Sequence, residues 1–108
     1  MNIFSKAKDI YKLQAQAKKI KKELHNIHVE GEAAVEGTEE KVLVTVNAEL
    51  EVVATKVPAT IFSSENQAKI EQAICTAGNR ALKEAQKIAG EKMKGVMSEM
   101  QGLMGGAN

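Results

Sequence analysis

The chain has 108 residues, 44% hydrophobic and 27% charged, enough for one small domain and too few for two. Aromatics make up 3% with no Trp, which argues against base-stacking platforms, and the single Cys75 excludes an intramolecular disulfide or a multi-cysteine zinc cage. A net charge of +1 conceals a segregation: residues 1–28 balance to +5, residues 29–57 to −5 and residues 58–108 to +1, so the first segment points to a polyanion partner.

The first element is a long helix, residues 2–27, free of Gly and Pro and rich in Lys, Gln, Ala and Leu. Ile10, Leu13, Ala17, Ile20, Leu24 and Ile27 are spaced three, four, three, four, three, an a/d seam that requires a partner helix. In that register Lys8, Lys12, Lys18, Lys19 and Lys22 fall at b, c and f, away from the seam.

The period then changes to two. A strand over 28–35, interrupted by Gly31, turns at Glu36-Gly37-Thr38. Val42, Val44 and Val46 mark a second strand, and Asn47-Ala48-Glu49 a hairpin turn in which Asn47 takes positive φ. The third strand runs from Leu50 to Val57 and stops at Pro58. The predicted sheet is a three-stranded antiparallel meander, and such a sheet needs a cover for its apolar face.

Ser64 as N-cap with Gln67 at N3 reads as a capping box, opening a second long helix over 64–101. Its buried stripe is Ile70, Ile74, Ala77, Ala81, Ala85 and Ile88, and Met93, Met97, Met100 and Met104 continue an apolar line. Residues 102–108 form a flexible Gly-rich tail. At about 1.5 Å per residue this helix exceeds the dimensions of a compact 100-residue domain, whose radius of gyration is about 13 Å. It therefore breaks at Gly90 or Gly95, packs on another subunit, or both. The fold class is α+β, in the order α-β-β-β-α, as a single domain over 1–108. An obligate dimer with projecting helices follows, its interface at Ile10, Leu13, Ile20, Leu24, Val44, Val46, Ile74 and Ile88.

Catalytic chemistry finds little to work with. His25 and His28 are spaced i, i+3, but His28 falls where the helix ends and the sequence shows no third ligand nearby, so no metal is expected. Cys75 reads as a small buried helix residue. Glu30, Glu32, Glu36, Glu39 and Glu40 lack the ordered spacing of a cation loop. No cofactor, small-molecule substrate or membrane partner is expected, and neither a signal peptide nor an eighteen-residue apolar run is found, so the expected location is cytoplasmic.

What remains is the basic face: Lys8, Lys12, Lys18, Lys19, Lys21 and Lys22, with Lys83, Lys87, Lys92 and Lys94 as second-rank candidates. Lysine is a point charge suited to phosphate, whereas base reading leans on Arg, Asn and Gln, and Arg80 is the only Arg. Phosphate contacts on double-stranded DNA that position without specifying sequence are the expected chemistry. The alternative is a coiled-coil adaptor or scaffold that grips another protein, with lysines serving solubility.

Several motifs resemble the YbaB/EbfC family of nucleoid-associated proteins. They are the Lys/Gln-rich first helix, Val29-Glu30-Gly31-Glu32, Val42-Leu43-Val44-Thr45-Val46-Asn47, the Pro after the third strand, Ala77-Gly78-Asn79-Arg80-Ala81-Leu82-Lys83, and Glu91-Lys92-Met93. The resemblance implies an intertwined, tweezer-like homodimer that binds DNA in the nucleoid with little sequence preference and has no catalytic residues. The chain departs from the family pattern in reading Asn47-Ala48 where Asn-Gly is usual, in a longer first turn, in Arg80 where Asp is usual, and in its C-terminal ending.

Overall fold

The computed structural model of the chain describes the backbone of residues 3–105 and the side chains of 6–99, 101 and 102. Helix α1 spans Ile3–Asn26, strands β1, β2 and β3 span His28–Ala34, Lys41–Asn47 and Val52–Lys56, and helix α2 spans Gln67–Gly105. The strands form one antiparallel sheet in the order β1-β2-β3. The α-β-β-β-α architecture is the one the periodicities predict.

Alternation decides which sheet face is covered. Val42, Val44 and Val46 on β2 share a face with Val29, Gly31 and Ala33 on β1, because Gly31 pairs with Val44 and Ala33 with Val42. That face meets Ile70, Ala73, Ala77, Ala81 and Ala85 of α2, spaced three or four apart, and the whole set is buried apart from a half-buried Val29. Small residues on the helix and branched ones on the sheet let the two layers approach closely. Gly31 is the closest point: a Cβ there would overlap the Ala77 carbonyl oxygen and stand 2.7 Å from Ala81 N. Its presence in a strand is thus a requirement of the packing, not a weakness of β1.

The first turn lies where expected: Gly37 takes positive φ, +81°, with Thr38 N–H and Oγ1–H both donating to the Val35 carbonyl. In the second hairpin, however, the left-handed residue is Leu50, φ 68°, rather than Asn47. The loop is three residues, 48–50, closed by Asn47 N–H to the Glu51 carbonyl at 2.9 Å. Asn47 acts through its side chain. It is 2% exposed, Oδ1 accepts the N–H groups of Glu49 (3.0 Å) and Glu51 (3.1 Å), and Nδ2 donates to Glu51 Oε1 at 3.0 Å. An Asn47→Ala variant leaves two backbone donors without their acceptor and is expected to cost about 2 kcal/mol in urea unfolding. A change below about 0.5 kcal/mol would show that water replaces the amide without penalty.

The capping box is also displaced. A 3-10 turn at Ala59–Ile61 follows Pro58, and α2 begins at Gln67, its first bond running from Ile70 N–H to the Asn66 carbonyl at 2.8 Å. Ser63 Oγ accepts from Asn66 N–H at 3.3 Å, and Gln67 points forward to Glu71 instead of back to Ser64. At the other end α2 is continuous through Gly90 and Gly95, so neither breaks it. Among the described residues, nothing beyond the helix's own backbone comes within 4 Å of a Cβ built at either glycine. It continues to Gly105, past the start expected for the tail, and residues 106–108 lie outside the described residues.

The outcome is a rod of 70 × 20 × 15 Å with a radius of gyration of 20.6 Å, well above the ~13 Å of a compact chain of this size. The sheet and the first half of α2 form one end. The other end is an arm in which α1 lies against the second half of α2.

Candidate nucleic-acid interface

The arm is an antiparallel helix pair within one chain. Lys92 Nζ lies 3.7 Å from Glu23 Oε2, and Gln16 Nε2 donates to the Glu99 carboxylate, so position falls along α1 as it rises along α2. Leu13, Ala17, Ile20 and Leu24 line one groove with Met93 and Val96. The seam's partner helix is therefore the chain's own α2. Its cover is partial: Leu13, Ile20 and Leu24 are half-buried, and Ile10, Met93 and Met97 stay 51%, 48% and 57% exposed. The side chains of Met100 and Met104 lie outside the described residues.

Of the residues expected at a subunit interface, Val44 and Val46, 2% and 0% exposed, are buried beneath α2 of the same chain. Ile74 packs at the margin of that core, Ile88 is half-buried and Ile10 is exposed. Further apolar surface is open on the sheet. All five residues of β3 are exposed, including Val52 at 61% and Val53 at 49%, and Leu50 and Phe62 join them.

The lysines are free of the core. Lys8, Lys12, Lys18, Lys19, Lys21 and Lys22 are all exposed on α1, as are Lys83, Lys87, Lys92 and Lys94 on α2. Those of α1, with Lys92 and Lys94, lie on the arm, whereas Lys83 lies on the half of α2 that covers the sheet. Lys12 and Lys19 flank a hollow with Ala15 and Gln16, Lys18 sits beside Tyr11 and Gln14, and Lys21 borders the apolar groove. Lys92 differs in being paired with Glu23. The acidic segment 29–57 forms the sheet beyond the arm, where Glu32 pairs with Lys41 at 3.2 Å across the outer sheet face, and its Glu49 and Glu51 lie where sheet and arm meet. Arg80 is also remote from the arm: its Nη1 donates to the Glu32 carbonyl at 2.9 Å, fastening α2 to the edge of β1. Charge segregation in the sequence thus becomes separation in space.

The junction of arm and sheet holds a group that residue spacing gives no reason to expect. Ala48 N–H points at the carbonyls of Leu24 (3.0 Å) and Ile27 (3.1 Å), capping the end of α1 with the β2–β3 loop. This brings His25 Nδ1 to 3.1 Å from Glu49 Oε1 and 3.7 Å from Glu51 Oε1. Among the described residues it is one convergence of three ligating side chains; His28 takes no part, and Glu30, Glu32, Glu36, Glu39 and Glu40 form no such group. Cys75 is exposed, contrary to its reading as a buried residue.

The model of the YbaB/EbfC DNA-binding family matches residues 1–100, which take in α1, the whole sheet and α2 up to residue 100. The chain belongs to this family. A search of curated proteins found no match. No described helix is long and apolar enough to cross a membrane.

Proposed function

We propose that the protein is a nucleoid-associated homodimer that binds double-stranded DNA through phosphate contacts with little sequence preference. The observation that carries this reading is the basic arm: α1 holds a balance of +5, its six candidate lysines are exposed, and most of the acidic residues lie on the sheet beyond it in a rod 70 Å long. A duplex is repelled by the sheet end and attracted by the arm. Ammonium groups on flexible stems neutralise phosphates without the forked geometry that reads base edges. Lys8, Lys12, Lys18, Lys19, Lys21 and Lys22 make the principal contacts, and Lys83, Lys87, Lys92 and Lys94 supplement them.

Dimerisation is supported by β3. An edge strand with open backbone groups and exposed Val52 and Val53 is a pairing surface unless something covers it. A second copy brought against β3 and the neighbouring Leu50 would cover it and leave the two arms projecting as tweezers.

Sedimentation of the chain alone and with a random-sequence duplex tests both parts. Two chains per particle and co-sedimentation with DNA are expected. In a salt titration on unrelated duplexes, neutralising about four to six phosphates gives a log–log slope of about −4 to −5 with similar affinities throughout. A flat salt response, or a hundredfold preference for one sequence, contradicts the proposal. A chain that ignores DNA at low salt and holds one protein partner would instead be an adaptor.

A further inference from the structure

We propose that His25, Glu49 and Glu51 form a binding site for a divalent transition-metal cation of the Zn2+ type at the junction of arm and sheet. Three side chains from two separate parts of the chain, the last turn of α1 and the β2–β3 hairpin, bring one ligand atom each to within 4.8 Å of one another. Ligand atoms around a tetrahedral Zn2+ at about 2.0–2.2 Å stand about 3.3–3.6 Å apart. The observed separations of 3.1 Å and 3.7 Å from His25 Nδ1 bracket that value, and the two glutamate oxygens lie within 4.8 Å of each other.

An ion pair alone explains the group less well. One ring N–H serves one carboxylate, and Glu49 at 3.1 Å takes it; Glu51 at 3.7 Å lies beyond hydrogen-bond reach. Two carboxylates held this close repel unless a cation stands between them. A 2+ ion with a neutral imidazole and two carboxylates closes the local charge balance and leaves a fourth position for water. The ring nitrogen favours Zn2+, Co2+ or Ni2+ over Mg2+ and Ca2+, which prefer all-oxygen sites. Support around the ligands is in place: Asn47 Nδ2 donates to Glu51 Oε1 at 3.0 Å, and Asn47 Oδ1 accepts the backbone N–H groups of both glutamates.

Bound there, the ion clasps the end of α1 to the hairpin. The proposal does not depend on DNA, and its test involves none. Calorimetric titration of the full chain with ZnCl2 in a non-coordinating buffer is expected to show one ion per chain with a dissociation constant in the micromolar range. His25→Ala and Glu51→Gln each weaken it by at least about tenfold, and His28→Ala leaves it unchanged. Helical circular dichroism checks folding, and Glu51→Gln, at an exposed position, decides the matter if His25→Ala perturbs α1. Titration with Co2+ adds a visible band that is lost in both variants. No binding at millimolar Zn2+, or an equal loss in His28→Ala, overturns the proposal.

Discussion

A Gly31→Ala variant is expected to lose about 3 kcal/mol of stability, the upper range for a forced overpacking. The added Cβ meets the Ala77 carbonyl oxygen, Ala81 N at 2.7 Å and Ala81 Cβ at 2.9 Å, two of the three being helix backbone, which no rotamer change can move aside. Nor can α2 lift away, because Ala77, Ala81 and Ala85 are all 0% exposed against the sheet and lifting would open the layer along its length. Gly78 provides the control. A Cβ there stands 3.9 Å from Val44 Cγ1, an ordinary contact, and Gly78→Ala gains helix propensity of about 1 kcal/mol. Urea unfolding should move the two variants in opposite directions. Equal stabilities for Gly31→Ala and the parent would mean that α2 sits farther from β1 than described.

Replacing Lys18, Lys19, Lys21 and Lys22 together with Gln is the second large effect, on binding instead of folding. All four are exposed and Gln has nearly the helix propensity of Lys, so stability stays within about 0.5 kcal/mol. Each lysine seated on a phosphate adds about 0.9 to the salt slope. The four surround more than one side of α1, so two or three meet a given duplex. The slope is therefore expected to flatten by about 2 to 3, and affinity at 0.1 M salt to fall on the order of 10²- to 10³-fold on every sequence alike. Lys56 and Lys69, on β3 and in the first turn of α2, are the matched control. Their joint change to Gln should leave binding nearly intact. Equal losses in the two sets would place the duplex on the sheet end and refute the arm as the contact surface.

The elements that depend on local pattern were legible from residue spacing. The three-four repeat of α1, the alternation of Val42, Val44 and Val46, and the stop at Pro58 each act within a few residues. What escaped is what the tertiary arrangement decides. Val44 and Val46 are apolar whether they face a neighbour's surface or their own helix, so sequence could not separate the two. Gly31 looked like an interruption because its reason, the backbone of Ala77 and Ala81, lies nearly fifty residues away. The hairpin shows the same limit: Asn47 carries the usual turn residue's side chain, but its value is as an acceptor for two N–H groups, and the strained conformation passes to Leu50. Glycine at 90 and 95 marked positions where a helix can yield, and without tertiary load it does not. On the arm, the lysines and their exposure followed from the heptad, whereas the junction of His25 with Glu49 and Glu51 arises only when the loop folds back onto the end of α1.

The basic arm and the acidic sheet give the chain a lopsided charge along its long axis. In the field of a polyanion a rod so charged experiences a torque as well as a pull. If the arm is the contact surface proposed above, the rod turns before it touches, and fewer collisions are wasted on unproductive orientations. Added electrolyte weakens this alignment beyond a Debye length of about 8–10 Å, so capture rate and residence time respond to salt through separate causes.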